Sequence, residues 1–403
     1  MTKDSLPMSQ VEFIALCAMM FATIAFSIDA MLPALPEIAE ELSPGNLNRA
    51  TLIITSFVMG MGIGTLFTGP LSDRFGRKVV LIGGAAIYSL CAFIGWYSET
   101  LEWVLAARLM QGLGAAGPRI VTLAIVRDLY SGREMARIMS FAMMVFTLVP
   151  AIAPLLGQFI IDVSSWRGIF VAFIIFSLIS VLWIGFRLPE PLAVENRRPF
   201  SIAKIISGMR DMWKIPAVRT SMMVQSLVFG GLFALISSVH PIYDQTYGRA
   251  EEFPYWFAGI ALLSGSASLL NARLVMRLGM RYLVTVALGL QVFIGIAMIA
   301  ATIIQNLDLQ FYAFAFWQLC GFFFVGMTIG NLNALAMEPL GHMAGTAASV
   351  MGAVSTILGA FLAAPIALMY DGTALPLALS LTVLLTLSFG LMLHMRRLEQ
   401  IAV

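Results

Sequence analysis

The chain has 403 residues, 60% of them hydrophobic and 11% charged, with a formal net charge of +2. Soluble domains average about 25% charged residues, so a water-soluble enzyme of this size is excluded, and 28 Phe with 26 Met exclude a disordered chain. The near-neutral balance, with no basic patch outside apolar stretches, excludes a nucleic-acid binder and leaves an integral membrane protein.

A bilayer core is crossed by about 20 apolar residues of helix. Such runs recur near 11–32, 50–69, 78–97, 102–126, 136–161, 168–188, 217–240, 254–274, 281–304, 309–334, 344–369 and 374–395. The spacing predicts an all-α integral membrane fold of twelve transmembrane helices, with no room for a soluble catalytic domain. Barrel strands are excluded, because they would alternate over roughly ten residues. The first run lacks a small-residue cleavage site after a short apolar core, so it is expected to be retained.

Lys and Arg set the orientation. With both termini inside, the inner segments hold Lys3; Arg74, Arg77, Lys78; Arg127, Arg133, Arg137; Arg187, Arg197, Arg198, Lys204, Arg210, Lys214, Arg219; Arg273, Arg277, Arg281; Arg396 and Arg397. The outer segments hold only Arg49, Arg167 and Arg249, while Arg108 and Arg119 fall inside the fourth span. Cys17, Cys91 and Cys320 all lie within spans, as small packing residues with no disulfide implied.

The longest polar stretch, 189–215, separates the sixth and seventh spans. It divides the chain into a six-helix bundle over 1–188, a cytoplasmic linker over 189–215 and a second six-helix bundle over 216–403. An internal echo supports duplication. Arg74-Phe75-Gly76-Arg77-Lys78 follows the second span, and Arg277-Leu278-Gly279-Met280-Arg281 follows the eighth. Ala153-Pro154 in the fifth span is matched by Ala364-Pro365 in the eleventh. Two pseudo-symmetric bundles around a central site are expected, as in many secondary transporters.

Residues 69–78 read Gly69-Pro70-Leu71-Ser72-Asp73-Arg74-Phe75-Gly76-Arg77-Lys78. The decapeptide closely resembles the loop signature between the second and third helices of the major facilitator superfamily. Asp73 is a carboxylate at a membrane edge, able to pair with Arg or face a helix N-terminus. Arg127 and Asp128, at the inner end of the fourth span, are its expected partners in a gating latch. Met276 occupies the matching position in the second half, so the latch is expected mainly in the first.

Four further segments are similar to the Bcr/CflA branch, the bicyclomycin- and chloramphenicol-type drug:proton antiporters. They are Ile28-Asp29-Ala30-Met31-Leu32-Pro33-Ala34-Leu35-Pro36, Arg108-Leu109-Met110-Gln111-Gly112, Val126-Arg127-Asp128-Leu129-Tyr130 and Trp166-Arg167-Gly168-Ile169-Phe170. The fifth span, with Pro150, Ala153, Pro154, Leu155 and Gly157, resembles the antiporter motif more loosely: Ala-Pro stands where Gly-Pro is usual. Phe21 stands where some exporters of the branch carry a second, deeper acid.

Ionisable groups inside spans are costly and mark function. Asp29 lies late in the first span and Arg108 early in the antiparallel fourth, so both fall in the outer third and are expected to pair. Asp29 reads either as a helix-end carboxylate wetted from outside or as a proton-sensitive carboxylate. Arg108 reads either as a tie to backbone carbonyls or Gln111, or, as the resemblance implies, as an essential arginine tuning the acid. Arg119 is about three turns beyond Arg108 on one stripe with Gly112 and Ala115. It reads either as snorkelling or as a cavity cation favouring anionic or zwitterionic substrates. Glu12 reads as interfacial, His240 as a loop-capping histidine, and Glu338 as a cap.

A mostly apolar cavity with a few polar handles is expected, lined by Phe21, Gln225, Phe229, Phe233, Tyr255, Trp256, Trp317, Gln318 and Asn331 together with Arg119. The resemblance implies a proton-coupled exporter of small amphipathic molecules in the bacterial inner membrane. Its partners are a small-molecule substrate, protons and the bilayer; it is a monomer with no cofactor or metal. A proton symporter or uniporter for an organic anion is the alternative. A membrane-embedded enzyme needs clustered His, Asp or Glu, or a Ser/His pair, and the three widely separated histidines supply none.

Overall fold

A computed structural model of the chain describes residues 7–402, so Lys3 lies outside the described residues. The described residues contain no β-strand. They form α1 (Gln10–Asp29), α2 (Leu35–Leu42), α3 (Leu52–Phe75), α4 (Arg77–Tyr97), α5 (Leu101–Leu129), α6 (Gly132–Val163) and α7 (Trp166–Arg187). There follow α8 (Ile202–Lys214), α9 (Pro216–Pro241), α10 (Phe253–Leu278), α11 (Met280–Ala301), α12 (Leu307–Met337), α13 (Ala344–Leu368) and α14 (Leu375–Ala402).

Among the described residues, 11 helical segments are long and apolar enough to cross a membrane. The expected span 136–161 lies in α6, whose described apolar stretch, Leu148–Val163, is shorter than the others. The remaining expected spans each fall on one of the eleven segments.

Local chemistry sets the boundaries. Ser9 caps α1, its Oγ accepting the Glu12 N–H at 3.1 Å. Asn306 caps α12 in the same way through the Leu309 N–H at 3.0 Å. Pro216 opens α9 at the first helical position, where its missing N–H costs nothing. The α3–α4 junction turns at Gly76, with φ 103° and ψ 155°. The α10–α11 junction turns at Gly279, with φ 80° and ψ 155°. The two loops that echo one another in sequence thus share a backbone conformation essentially confined to glycine.

The chain forms two compact units, residues 1–44 with 56–205 and residues 45–55 with 206–403. The first has a core around Phe13, Leu16, Met20, Phe21, Val121 and Ile125. The second has a core around Val224, Val228, Leu288, Leu332, Met351 and Met392. Small residues bring helices together where lipid offers no hydrophobic drive. In the first unit Gly84 lies against the Gly114 carbonyl, which a Cβ would meet at 2.8 Å, and Gly112 lies against the Phe57 carbonyl. In the second, Gly359 lies against Phe229, whose Cβ an added methyl would meet at 2.7 Å. Cys17 and Cys91 are buried and Cys320 half-buried, all as free thiols.

Candidate functional site

The decapeptide loop is organised by Arg77. It is the first residue of α4, and its side chain is 4% exposed. Nη1 donates to Asp73 Oδ1 at 2.6 Å and to Ser72 Oγ at 2.7 Å, while Nε donates to Asp128 Oδ2 at 2.9 Å. One guanidinium therefore spans two carboxylates from α3 and α5, a use of its fixed fork that Lys cannot reproduce. The expected pairing of Asp73 with Arg127 is not formed. Arg127 is exposed and makes no ion pair among the described residues; it is Asp128, its neighbour on α5, that joins the loop. Arg74 is also outside the network and stacks on Phe75, 5.0 Å from its ring centre. Gly69 contributes its carbonyl to the Ser72 hydroxyl at 2.8 Å.

The sequence reading missed Glu190, treating it as part of the polar linker. Its carboxylate accepts the Arg77 N–H at 2.8 Å, the Lys78 N–H at 3.0 Å and the Leu192 N–H at 3.1 Å. It occupies the N-terminus of α4, where free N–H groups and the helix dipole favour an anion. A Cβ on Gly76 would meet Glu190 Oε2 at 2.6 Å. The Lys78 ammonium donates to the Gly185 carbonyl at 2.6 Å, and the Arg198 N–H to the Asp73 carbonyl at 3.0 Å. The segment after α7 is thereby sewn to the α3–α4 loop. The only sequence signal was a lone acid between Pro189 and Pro191 directly after a span.

Asp29 ends α1 and is 5% exposed. It makes no hydrogen bond or ion pair among the described residues, and the expected pair with Arg108 is absent. Arg108, fully buried, donates instead from Nη2 to the Ser27 carbonyl at 2.7 Å and from Nη1 to Gln111 Oε1 at 2.8 Å. Its guanidinium lies 4.3 Å from the Phe57 ring centre and 5.5 Å from that of Phe173. Ser27 belongs to the last turn of α1, whose carbonyls lack helical partners and carry partial negative charge. Arg108 therefore caps α1 as a cation, the backbone tie that the sequence left open. Ser27 Oγ and Tyr88 OH lie 2.6 Å apart beside it. From the other side Gly157 of α6 packs on the Ala30 carbonyl, so the loosely matched antiporter helix abuts the residue after Asp29.

Arg119 is exposed and has no hydrogen-bond or ion-pair partner among the described residues, although Gly112, Ala115 and Thr122 around it on α5 are buried. Phe21, expected in the cavity, is 2% exposed and belongs to the core of the first unit with Met20 and Val121. Glu12, near the start of α1, accepts from Arg187 Nε and Nη2, each at 2.7 Å. The Trp166-Arg167 pair clasps α2 to α7: both side chains donate to Glu41 at 2.7 Å.

In the second unit Phe229 and Phe233 stack with ring centres 5.3 Å apart. Gln225 on the same helix is buried, and its Oε1 has no partner. Gln318 accepts from Tyr243 OH at 3.0 Å, leaving its own Nε2 unpartnered. Asn331 donates to Asn271 Oδ1 at 2.7 Å. Trp317 lines a small cavity of about 30 Å³ with Val228, Gly231, Gln291 and Gly321, room for a water or two. Tyr255 and Trp256 do not join this group. Tyr255 is 71% exposed, and the Trp256 indole donates to Glu252 at 3.0 Å beside the start of α10. His240 is buried with its ring 4.6 Å from that of Phe253, its Nδ1 unpartnered.

The sequence profile of the Major Facilitator Superfamily matches residues 14–364. The chain is 33% identical over 358 residues to a bicyclomycin resistance protein homolog of Haemophilus influenzae, covering 87% of this chain and 88% of that protein. It is 26% identical over 380 residues to the multidrug resistance protein MdtL of Shewanella oneidensis, covering 93% of each. Among solved structures, a D-xylose–proton symporter has the same fold, with a TM-score of 0.78 and 11% identity over 95% of this chain and 97% of that one. The match of loop, helices and fold makes this chain a multi-pass membrane transporter, not an enzyme, and a member of the major facilitator superfamily.

Proposed function

We propose that the protein is a proton-coupled exporter of small amphipathic molecules, working by alternating access in a bacterial cytoplasmic membrane. The observation that carries this reading is the similarity, along nearly the whole chain, to the bicyclomycin resistance protein homolog. The names of other relatives, for multidrug and chloramphenicol resistance, support it. α6 supplies the fifth of twelve spans, the two bundles are 1–188 and 216–403 with 189–215 as linker, both termini are cytoplasmic, and the working form is a monomer.

Asp29 is the proton-coupling carboxylate: it is buried without a counter-charge, which makes its ionisation costly. Arg108 holds the end of the helix that carries it. Gly69, Asp73, Arg74, Gly76, Arg77, Arg127 and Asp128 form the gating segment, with Arg77 at its centre. Arg119, Gln225, Phe229, Phe233, Trp317, Gln318 and Asn331 contact substrate during the cycle. In proteoliposomes Asp29→Asn abolishes pH-driven exchange and leaves thermal stability unchanged; exchange at the wild-type rate overturns the assignment.

The exposed, unpaired Arg119 favours a second reading, a symporter or uniporter for an organic anion. The direction of labelled-substrate flux under an imposed pH gradient separates the two. Export runs against the proton flow, whereas symport runs with it.

A further inference from the structure

The helix α8 is not needed by the transport reading, yet its surface is unusual. Met212 is fully buried and Met209 packs partly against the second unit's core. The adjoining face is exposed and apolar: Ile206 is 60% and Trp213 44% exposed. Ile206, Met209 and Trp213 fall at i, i+3 and i+7, one stripe of an α-helix. At 100° per residue Arg210 and then Lys214 border that stripe on the side opposite buried Met212, and Asp211 faces away from it. Arg210 is exposed, and the Lys214 side chain is 64% exposed, pairing with Asp211 at 2.9 Å. Trp213 makes no hydrogen bond and no ring contact among the described residues.

What covers this face follows from the chain itself. α8 is joined to α9 by the single residue Ile215, in extended conformation, and α9 belongs to a membrane-crossing segment. The end of α8 is therefore held within a few ångströms of the point where α9 enters the bilayer. A short helix at that level, with an apolar stripe, an indole and flanking cations, has the pattern of a helix lying in the lipid headgroup layer. Arg210 and Lys214, with Arg219 one turn into α9, make the face complementary to negative headgroups.

We propose that α8 is a lipid-contacting helix, its Ile206–Met209–Trp213 stripe embedded among acyl chains and Arg210 and Lys214 binding the headgroups of anionic phospholipids. The proposal goes beyond the transport reading and needs only that the chain spans a membrane.

The test uses the full chain in nanodiscs of phosphatidylcholine containing about one-third brominated phosphatidylglycerol. The Trp213 signal is the difference in emission between wild type and Trp213→Phe. Bromolipid is expected to quench it strongly. Quenching by brominated phosphatidylglycerol is expected to exceed that by the same fraction of brominated phosphatidylcholine. In the Arg210→Gln/Lys214→Gln variant the anionic preference falls, by roughly five-fold per cation in apparent lipid affinity, while quenching by brominated phosphatidylcholine persists. Arg210→Lys/Lys214→Arg restores the preference. A Trp213 signal insensitive to bromolipid, indicating water or a protein partner on this face, overturns the proposal, as does an anionic preference untouched by charge removal. Neither readout involves transport, so the result stands apart from the fate of the exporter reading.

Discussion

Arg108 donates to the backbone carbonyl of Ser27 at 2.7 Å, two residues before Asp29, and not to the Asp29 carboxylate. The cation of the fourth predicted span thus acts on the end of a helix. Its second arm reaches Gln111, and the Phe57 ring lies beneath it. Replacing it with alanine leaves the Ser27 carbonyl and Gln111 unpartnered in a dry site and opens a cavity between rings. Arg108→Ala is expected to destabilise the protein by on the order of 3 kcal/mol. Arg108→Lys recovers less than half of that, since a single ammonium cannot serve both acceptors. Thermal unfolding of the purified variants in detergent checks this; a lysine variant as stable as wild type would show that charge alone suffices.

Gly76 and Gly279 share a backbone conformation but differ in surroundings. Either alanine variant forces a β-carbon into a region costing about 1–3 kcal/mol. At Gly279 nothing lies within 4 Å, so that strain is the whole effect. At Gly76 the new methyl also strikes the Glu190 carboxylate. Gly76→Ala is therefore expected to lower the unfolding temperature more than Gly279→Ala and to reduce transport, whereas Gly279→Ala leaves transport closer to normal. Equal effects on both measurements count against a role for the Glu190 contact.

Glu190 accepts two N–H groups at the start of α4, the role of a capping carboxylate. Glu190→Gln retains the shape and part of the acceptor capacity but loses the charge facing the helix dipole. It is expected to cost about 1 kcal/mol, with Glu190→Ala costing more. Increased proteolysis within 189–200 in the alanine variant, with the transmembrane helices intact, identifies the loss as release of this segment from the loop.

What the sequence made legible follows the range of each interaction. Hydropathy over 20 residues located the eleven helical segments long and apolar enough to cross a membrane, because burial in a bilayer acts on every residue of a crossing helix. The decapeptide announced its loop, since a positive-φ glycine and adjacent charges are local requirements. Long-range choices were not legible. Whether Arg77 or Arg127 meets Asp73 depends on which way α5 is turned against α3 and α4. That Arg108 would prefer a carbonyl to Asp29 was hidden because backbone acceptors carry no residue signature. Glu190 was obscured in the same way, its partners being main-chain N–H groups 113 and 112 positions away. Tyr255 and Trp256 were expected in the cavity as aromatics of the eighth span; Tyr255 is exposed and Trp256 donates to Glu252, surroundings that residue type does not encode.

Arg119 remains the residue most informative about cargo. It sits about three turns beyond Arg108 on α5, yet it is exposed where its stripe neighbours Gly112 and Ala115 are buried. No carboxylate among the described residues pairs with it. A cation in a span without a counter-charge attracts an anion, or is tolerated because its long stem carries the charge to water. The two cases differ in ligand response. If Arg119 meets cargo, anionic or zwitterionic compounds raise the melting temperature of the wild type, and Arg119→Gln removes that shift while leaving the response to neutral compounds intact. A loss of two charge-assisted hydrogen bonds corresponds to an affinity drop of about 100-fold. If Arg119 only snorkels, the variant shifts all classes alike. A thermal-shift screen of anionic, cationic and neutral compounds against both proteins distinguishes the outcomes, and the class whose response vanishes names the charge of the cargo.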